Sequence, residues 1–377
     1  MNTNNHRPTS QIKERVQSLD ILRGADLFFL GILGPLFMSF KNSTTLDISE
    51  NIVKQFSHVN WTGFTCWDLI MPLFMFMAGT SMPYSLSKYK SNKEFYLKIV
   101  KRFILLFILG SIVQGNLLAL DINSLKLFSN TLQAIAVGYL FSAIIYRYVK
   151  SINIQIVITA ILLIVYWISM SIGGDYTQNG NFAEKVDNLV LGHFRDGAYL
   201  DENGWHFADY YHYTWIVSSI NFIATVMTGL IAGEIIKSQR EKLSKSLILL
   251  AGGAFMIVLA QLLNLTHPII KTIWTSSMVL FSSGISYILL SLFYYIIDVK
   301  QWGKHLSWLK IFGMNSIAAY LIFEVFHHPL NSFFNNFIFG LKQFFPSYYP
   351  FILNMTTCIF IFLVLNYMFK KKIFLKV

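Results

Sequence analysis

The densest group of polar side chains in an apolar stretch lies in residues 57–81, SHVNWTGFTCWDLIMPLFMFMAGTS. An ionisable side chain inside an apolar segment is costly, so it needs a partner, a cavity or a function. His58 suits proton transfer, because a histidine changes its charge nearest to neutral pH. A lone histidine is also commonly a structural hydrogen-bonding residue, and the segment alone leaves both interpretations open. Three polar residues follow at helical spacing, and we expect them to support His58: Trp61, Thr65 and Asp68.

A contact between His58 and Asp68 depends on the path of the chain between them. Ten residues of continuous helix would separate the two residues by about 15 Å along the axis. Direct contact therefore requires a sharp bend near Gly63. We adopt the simpler interpretation, in which Asp68 orients structure deeper in the segment and His58 meets the substrate. Helical spacing predicts one face that points into a bundle: Trp61, Thr65, Asp68, Pro72, Met75 and Gly79.

The first apolar segment begins with SLDILRGAD and carries Asp20, Arg23 and Asp26 three residues apart. A helix would bring both carboxylates near the guanidinium group, because residues three apart are neighbours on a helix surface. We favour a self-neutralised cluster at the inner interface. The alternative places Arg23 near the phosphates of a cytoplasmic cofactor.

A further polar group lies in FGMNSIAAYLIFEVFHH, residues 312–328. Asn315 is at the beginning of this segment. Glu324 and His328 are four residues apart, so they can pair on one face of a helix. Alternatively, the Glu324 carboxylate receives a cationic substrate. The sequence favours neither alternative.

The composition determines the class of protein. Hydrophobic residues make up 54% of the 377 residues, and charged residues make up only 13%. A soluble domain needs about a quarter of its residues charged, so much of this surface must face lipid. We predict an all-α polytopic membrane protein that forms a single domain over residues 1–377. A helix needs roughly 20 mainly apolar residues to span a membrane. Ten segments approach this length: about 20–40, 61–86, 103–120, 131–149, 152–172, 214–236, 246–264, 274–297, 310–326 and 349–369.

The basic residues predict the orientation of these segments. With the N-terminus inside, 23 of the 30 Lys and Arg residues fall on the inner side and 7 on the outer side. The positive-inside rule then places both termini in the cytoplasm. The same distribution accounts for the net charge of +11 without a nucleic-acid partner. The long connection over residues 173–213, which this orientation places outside, is acidic and is either a solvated cap or a functional loop. Residues 330–348 are amphipathic and should lie along the interface or re-enter the bundle.

Common ligand-binding motifs do not occur in the sequence. It has no Gly-rich phosphate loop, no CxxC pair and no HExxH, so we expect no metal. Gly229 and Gly233 form a GxxxG pair, which in a membrane helix predicts close packing against a neighbouring helix.

Six segments together resemble the heparan-α-glucosaminide N-acetyltransferase family, including its short bacterial relatives. The His-x-x-Trp-x-Gly-x-Thr-x-x-Asp pattern is the most specific of them, and the others support it by their order and spacing. The segments are RVQSLDILRGAD (15–26), HVNWTGFTCWDLIMPLFMFMAGTS (58–81), LQAIAVGY (132–139), KTIWTSS (271–277), DVKQW (298–302) and GMNSIAAYLIFEVF (313–326).

The resemblance implies an acetyltransferase of the bacterial inner membrane. Members of the family transfer the acetyl group of cytoplasmic acetyl-CoA, a co-substrate, to an amino sugar or glycan across the lipid bilayer, and their catalytic histidine falls on His58. A homodimer is compatible with this expectation. We expect three groups of residues at such a site. The site would be supported by Asp20, Trp61, Thr65 and Asp68. Acetyl-CoA would be contacted by Arg23, Lys101, Arg102 and Asn315, and the acceptor by Glu324 and His328.

A proton-coupled amino-sugar transporter is the alternative function. Ten spans with buried carboxylates and a histidine would also suit such a protein. No inverted repeat is visible between the two halves of the sequence, which favours the acetyltransferase.

Overall fold

The computed structural model describes residues 16–115, 117, 120–208 and 212–375. The described chain is predominantly helical. Its longer helices, in chain order, are α1 (Gln17–Ser43), α2 (Ile70–Thr80), α3 (Asn92–Val113), α4 (Thr131–Tyr148), α5 (Ile152–Gly173), α6 (Phe182–Leu191), α7 (Ser218–Lys237), α8 (Lys242–Leu263), α9 (Ser276–Val299), α10 (Gly303–Gly313), α11 (Ser316–Gln343) and α12 (Tyr349–Lys370).

Six of the described helices are long and apolar enough to cross a membrane: α1, α5, α7, α8, α9 and α12. The pair α10 and α11, which is bent by 65° at its break, raises this number to seven if it forms one span. The three other predicted spans fall on α2, α3 and α4. Among these, α2 has only 11 residues and α3 begins with a charged turn. The chain is thus a multi-pass membrane protein, while the count of ten and the orientation of the termini stay predictions.

The helices α2, α4 and α7 form the centre of the bundle. Helix α7 contacts α2, α4 and α5, and α8 pairs with α9 along its length. Most residues of α2 and α7 are buried, although both helices contain polar side chains. Helices α5 and α8 instead expose apolar side chains along much of their surface, as expected for helices that face lipid. The short helix α2 is therefore placed inside the protein rather than at its lipid-facing surface.

The connection between α5 and α7 contains a small folded unit, called here the α5–α7 unit, whose two strands correct the all-α expectation. Helix α6 is followed by an antiparallel hairpin of β1 (Ala198–Asp201) and β2 (Gly204–Phe207), with Ala198 opposite Phe207. Between them, the buried Arg195 guanidinium donates to Glu184 Oε1 at 2.8 Å and to Asn188 Oδ1 at 2.6 Å. The paired charges hold α6 against the hairpin. Within this acidic connection, Asp209 lies outside the described residues.

The segment predicted to lie along the interface is a continuation of α11. It is helical through residues 330–343, and most of its side chains are exposed. Its placement at the interface stays a prediction.

Close packing of α2 against α7 confirms the interpretation of the GxxxG pair. A Cβ atom at Gly229 would lie 1.9 Å from Phe76 O, and one at Gly233 would lie 2.4 Å from Thr80 O. A Cβ atom at Gly79 would in turn lie 2.0 Å from Val226 O. The two backbones therefore touch directly, which fixes the position of α2 along α7.

This contact predicts the effect of a single methyl group. Gly229→Ala should destabilise the protein by about 2 kcal/mol, because backbone atoms of α2 must move to admit the methyl group. The measurement is the thermal unfolding midpoint of the purified protein in detergent.

Gly252→Ala is the matched control. Its Cβ atom would meet only the Tyr287 ring, at 3.6 Å, which is an ordinary contact. Because alanine also favours helix by up to about 1 kcal/mol relative to glycine, this variant should be as stable as the wild type or slightly more stable. Equal unfolding midpoints for the two variants would contradict the proposed backbone contact.

Candidate active site

The segment before α2 is a folded loop and not a helix. Gly63 has φ +115°, a left-handed conformation that glycine adopts without a steric penalty. Its N–H donates to Ile269 O at 2.9 Å, and Thr62 forms a β-bridge with Ile270. The helix begins only after a 3₁₀ turn at Trp67–Leu69. The helical face predicted for Trp61 and Thr65 is therefore wrong.

The turn at Gly63 brings His58 into direct contact with Asp68. His58 Nδ1 lies 2.7 Å from Asp68 Oδ1. The interpretation that gave these residues separate roles is wrong, because it assumed continuous helix between them. An ionised carboxylate only accepts hydrogen bonds, so Nδ1 carries the proton and Nε2 keeps its lone pair. The free basic nitrogen of the pair is thus His58 Nε2.

Asp68 is held by several donors at once. Its Oδ2 accepts from Thr65 N at 3.1 Å, from Thr65 Oγ1 at 3.0 Å and, at 3.4 Å, from Val59 N. The Asp68 side chain is only 1% exposed, whereas that of His58 is 45% exposed. A fixed, buried carboxylate therefore orients an imidazole that is open to solvent and substrate.

Lys271 is a third member of this group, and sequence reasoning missed it. Its Nζ lies 3.5 Å from Asp68 Oδ1, 3.1 Å from His58 Nδ1 and 3.5 Å from His58 Nε2. It belongs to the connection between α8 and α9, outside both helices. Burial lowers the pKa of Lys271 to about 8, and the Asp68 charge opposes this shift. The motif KTIWTSS contained the residue, but nothing in it indicates a contact 213 positions away.

These residues open on a cavity of about 310 Å³, called here the His58 cavity. Its lining combines apolar side chains with polar groups. Ser129 Oγ and Trp215 Nε1 are buried and have no hydrogen-bond partner among the described atoms. Buried polar groups are normally hydrogen-bonded, so these two atoms are exceptions among the residues that line the cavity. The polar and ionisable lining residues are His58, Ser129, Asn130, Thr131, Tyr213, Trp215, Lys271, Tyr320 and Glu324.

Two more cavities adjoin the His58 cavity through shared walls. The middle cavity, of about 240 Å³, shares Phe74 and Tyr320 with the His58 cavity. The basic cavity, of about 660 Å³, shares Arg23, Ser81 and Ser85 with the middle cavity. The three cavities therefore form a series through the bundle, from the ends of α1, α7 and α8 to the loop that carries His58.

The sequence profile of an acyltransferase domain matches residues 36–365, which is most of the chain. The chain belongs to the acyltransferase family. A search of curated protein sequences finds no significant match. The matched range includes His58, Asp68 and Lys271, so the loop lies in the region that defines this membrane acyltransferase, whereas the α1 residues that line the cavities precede that range.

Two predicted supporting residues hold structure around the loop of the acyltransferase. Trp61 Nε1 donates to Tyr176 O at 2.7 Å, which ties the loop to the connection that holds the α5–α7 unit. Thr65 Oγ1 also donates to Ser57 O at 2.8 Å, which closes the loop before Asp68. Neither residue lines the His58 cavity.

The four residues predicted to contact the donor lie in different places. Arg23 lines both the middle and basic cavities and donates to Ser81 Oγ at 3.3 Å. Arg102 lines the middle cavity, and its guanidinium carbon lies 4.1 Å from the centre of the Tyr139 ring. Lys101 is exposed and lines none of these three cavities. Asn315 holds the C-terminal segment instead, through Ile373 O at 2.8 Å and Leu375 N at 3.0 Å.

The remaining predicted residues also separate. Asp20 lines the basic cavity beside Arg23. Glu324 lines the His58 cavity, but the exposed His328 does not. Among the described residues no hydrogen bond or ion pair joins Glu324 to His328. Residues Ile322–Phe326 form a π-helical turn, so the side-chain spacing assumed for a regular α-helix does not hold there.

Proposed function

We propose that this acyltransferase moves an acetyl group from cytoplasmic acetyl-CoA to an amino sugar on the external side of the membrane. The observation that carries the proposal is the series of three cavities, with cationic walls at one end and the His58–Asp68 pair at the other. A donor with a charged nucleotide and a long, thin arm suits such a shape.

The basic cavity suits the phosphates of coenzyme A. Arg23, Lys237, Lys242 and Lys245 line it together with the carboxylates of Asp20 and Asp298, and the last residue of α7 and the first residues of α8 supply three of these four cations. Asp298, which also lines it, accepts from the backbone N–H groups of residues 17 and 18 at the beginning of α1. That carboxylate is therefore occupied in capping a helix. Positive side chains and few free carboxylates favour a polyanionic ligand.

The middle cavity suits the pantetheine arm. It is the smallest of the three, and its walls combine apolar side chains with Arg102 and serine hydroxyl groups. Arg102 Nε is buried and has no hydrogen-bond partner among the described atoms. A pantetheine carbonyl or a phosphate oxygen would satisfy this donor.

The His58 cavity suits a hydroxylated amine. Ser129 Oγ and Trp215 Nε1 are unsatisfied groups of the kind that bind sugar hydroxyls. The Glu324 carboxylate on the same wall would attract the ammonium form of the acceptor. Together they support an amino sugar, which carries both kinds of group.

The chemistry follows from the free nitrogen of His58. Nε2 removes a proton from the acceptor ammonium group, and the resulting amine attacks the thioester carbonyl carbon. A C–N bond forms and the C–S bond breaks. The CoA thiolate receives the proton from the imidazolium, and the nitrogen of the new amide releases its remaining extra proton to water. Asp68 stabilises the imidazolium through Nδ1. In a two-step route the same Nε2 would carry the acetyl group before the amine attacks.

Binding of the donor gives the first test. Acetyl-CoA or CoA should raise the thermal unfolding midpoint of the purified protein, because a ligand that binds only the folded state stabilises it. Arg102→Gln should weaken CoA binding by about tenfold or more, the expected loss for one hydrogen bond to a charged group.

Lys101→Gln is the matched control, since the adjacent lysine is exposed and lines none of the three cavities. It removes the same charge and should change CoA affinity by less than about twofold, as is typical of exposed charges. If millimolar CoA does not stabilise the wild-type protein, the transferase function is ruled out. The alternative function, a transporter, predicts the same absence of stabilisation. Equal losses in both variants would contradict the placement of the arm.

The role of His58 gives the second test. His58→Gln should keep CoA binding and lose acetyl transfer by about 100-fold or more, the usual contribution of a general base. Glutamine retains hydrogen bonding but cannot accept a proton at neutral pH. Acetyl transfer to glucosamine, measured by release of free CoA thiol, provides the rate.

His206→Ala is the control for this variant. His206 Nε2 lies 3.0 Å from Asp201 Oδ1 on the hairpin of the α5–α7 unit, so it forms a similar histidine–carboxylate contact outside the His58 cavity. Its loss should leave the transfer rate unchanged. A folded His58→Gln protein that binds CoA and transfers acetyl groups at the wild-type rate would refute the proposed chemistry.

A further inference from the structure

Lys271 occupies an unusual position for a structural ion pair. Its side chain is 7% exposed, and it lines the His58 cavity. The distance from its Nζ to Asp68 Oδ1 is 3.5 Å. A charge-assisted hydrogen bond between an ammonium and a carboxylate is about 2.7–2.9 Å long, so this pair is not closely bonded.

The Asp68 carboxylate has close donors other than Lys271. Thr65 and Val59 bind its Oδ2, and His58 Nδ1 binds its Oδ1 at 2.7 Å. The carboxylate is thus satisfied without a close contact to Lys271. An ammonium group has three donors, and burying it is costly unless it has a partner. The place where Lys271 stands, 3.5 Å from His58 Nε2, is next to the nitrogen that performs the chemistry.

We propose that Lys271 is a catalytic residue that stabilises the oxyanion formed during acyl transfer. This inference depends on the proposed function, because it requires a thioester carbonyl beside His58 Nε2. When the amine attacks the carbonyl carbon, the electrons of the C=O double bond move to oxygen. Lys271 Nζ–H donates to that oxygen. As the C–S bond breaks, the electrons return to the C=O bond, and the thiolate receives the proton from His58.

The distances support this assignment. An atom that exchanges a proton or an acyl group with Nε2 must come within about 3 Å of it. The carbonyl oxygen is bonded to the carbon under attack. It therefore comes within reach of Lys271 Nζ, which lies 3.5 Å from His58 Nε2. A donor that stands in a cavity before the reaction begins needs little reorganisation, and this is the condition for effective oxyanion stabilisation.

The charge of Lys271 should depend on pH. Burial lowers its pKa to about 8, so its ammonium form is lost as the pH rises above that value. The neighbouring titratable groups come from three elements and would act on the same charge: His58 and Asp68 from the loop, Tyr213 from the segment before α7, and Tyr320 and Glu324 from α11.

Two variants test the proposal. Lys271→Met keeps an unbranched side chain that is one heavy atom shorter and removes the charge. It should lower kcat by about 100- to 1,000-fold, as for other oxyanion donors, with the affinity for CoA unchanged. Lys271→Arg keeps a charge that does not titrate below pH 12. The ratio of its rate to that of the wild type should rise above pH 8, by up to tenfold per pH unit.

This ratio separates a catalytic role from a structural one. The ionisation of the acceptor amine affects both proteins equally and cancels in the ratio. A constant ratio between pH 7 and 10, or a folded Lys271→Met protein with the wild-type kcat, would overturn the proposal. If Lys271→Met does not fold, the pH dependence of the Lys271→Arg ratio still decides. Failure of the wild type to bind CoA or transfer acetyl groups would instead refute the proposed function.

Discussion

A buried carboxylate in the turn before α2 is the constraint on which the rest of the site depends. Asp68 is 1% exposed, and an unpaired charge at such a position would be prohibitively costly. Its close donors all come from its own loop, and the buried Lys271 lies 3.5 Å away. To satisfy one charge, the protein must fold the loop around Gly63. The same requirement orients His58.

The packing of α2 connects this constraint to the cavities. Glycine residues let its backbone touch that of α7, so the position of Asp68 relative to the bundle is fixed. Phe74 on the same helix forms part of the wall between the His58 and middle cavities, and Ser81 beyond its end lines the middle and basic cavities. One short, buried helix thus begins directly after the turn that holds Asp68 and borders the proposed path of the donor along its length.

Sequence reasoning identified the chemical groups better than their contacts. The membrane class followed from composition, His58, Asp68 and Arg23 were recognisable as ionisable groups in largely apolar segments, and Arg102 was expected among the cations that contact acetyl-CoA. The contact of His58 with Asp68 was considered and set aside, because the bend near Gly63 that it requires depends on hydrogen bonding to Ile269, far along the chain. Lys271 was missed for the same reason. The periodicity of one segment predicts its own faces, but it contains no information about a partner from another segment.

Transfer across the bilayer is the central claim, and reconstituted vesicles test it most directly. Acetyl-CoA is sealed inside proteoliposomes, and glucosamine linked to a polymer that cannot cross lipid is supplied outside. The account predicts that acetylated polymer accumulates outside intact vesicles, at a rate that depends on the enclosed acetyl-CoA. Acetylation only after detergent opens the vesicles, with wild-type protein that is active in detergent, would contradict a path for the donor through the three cavities.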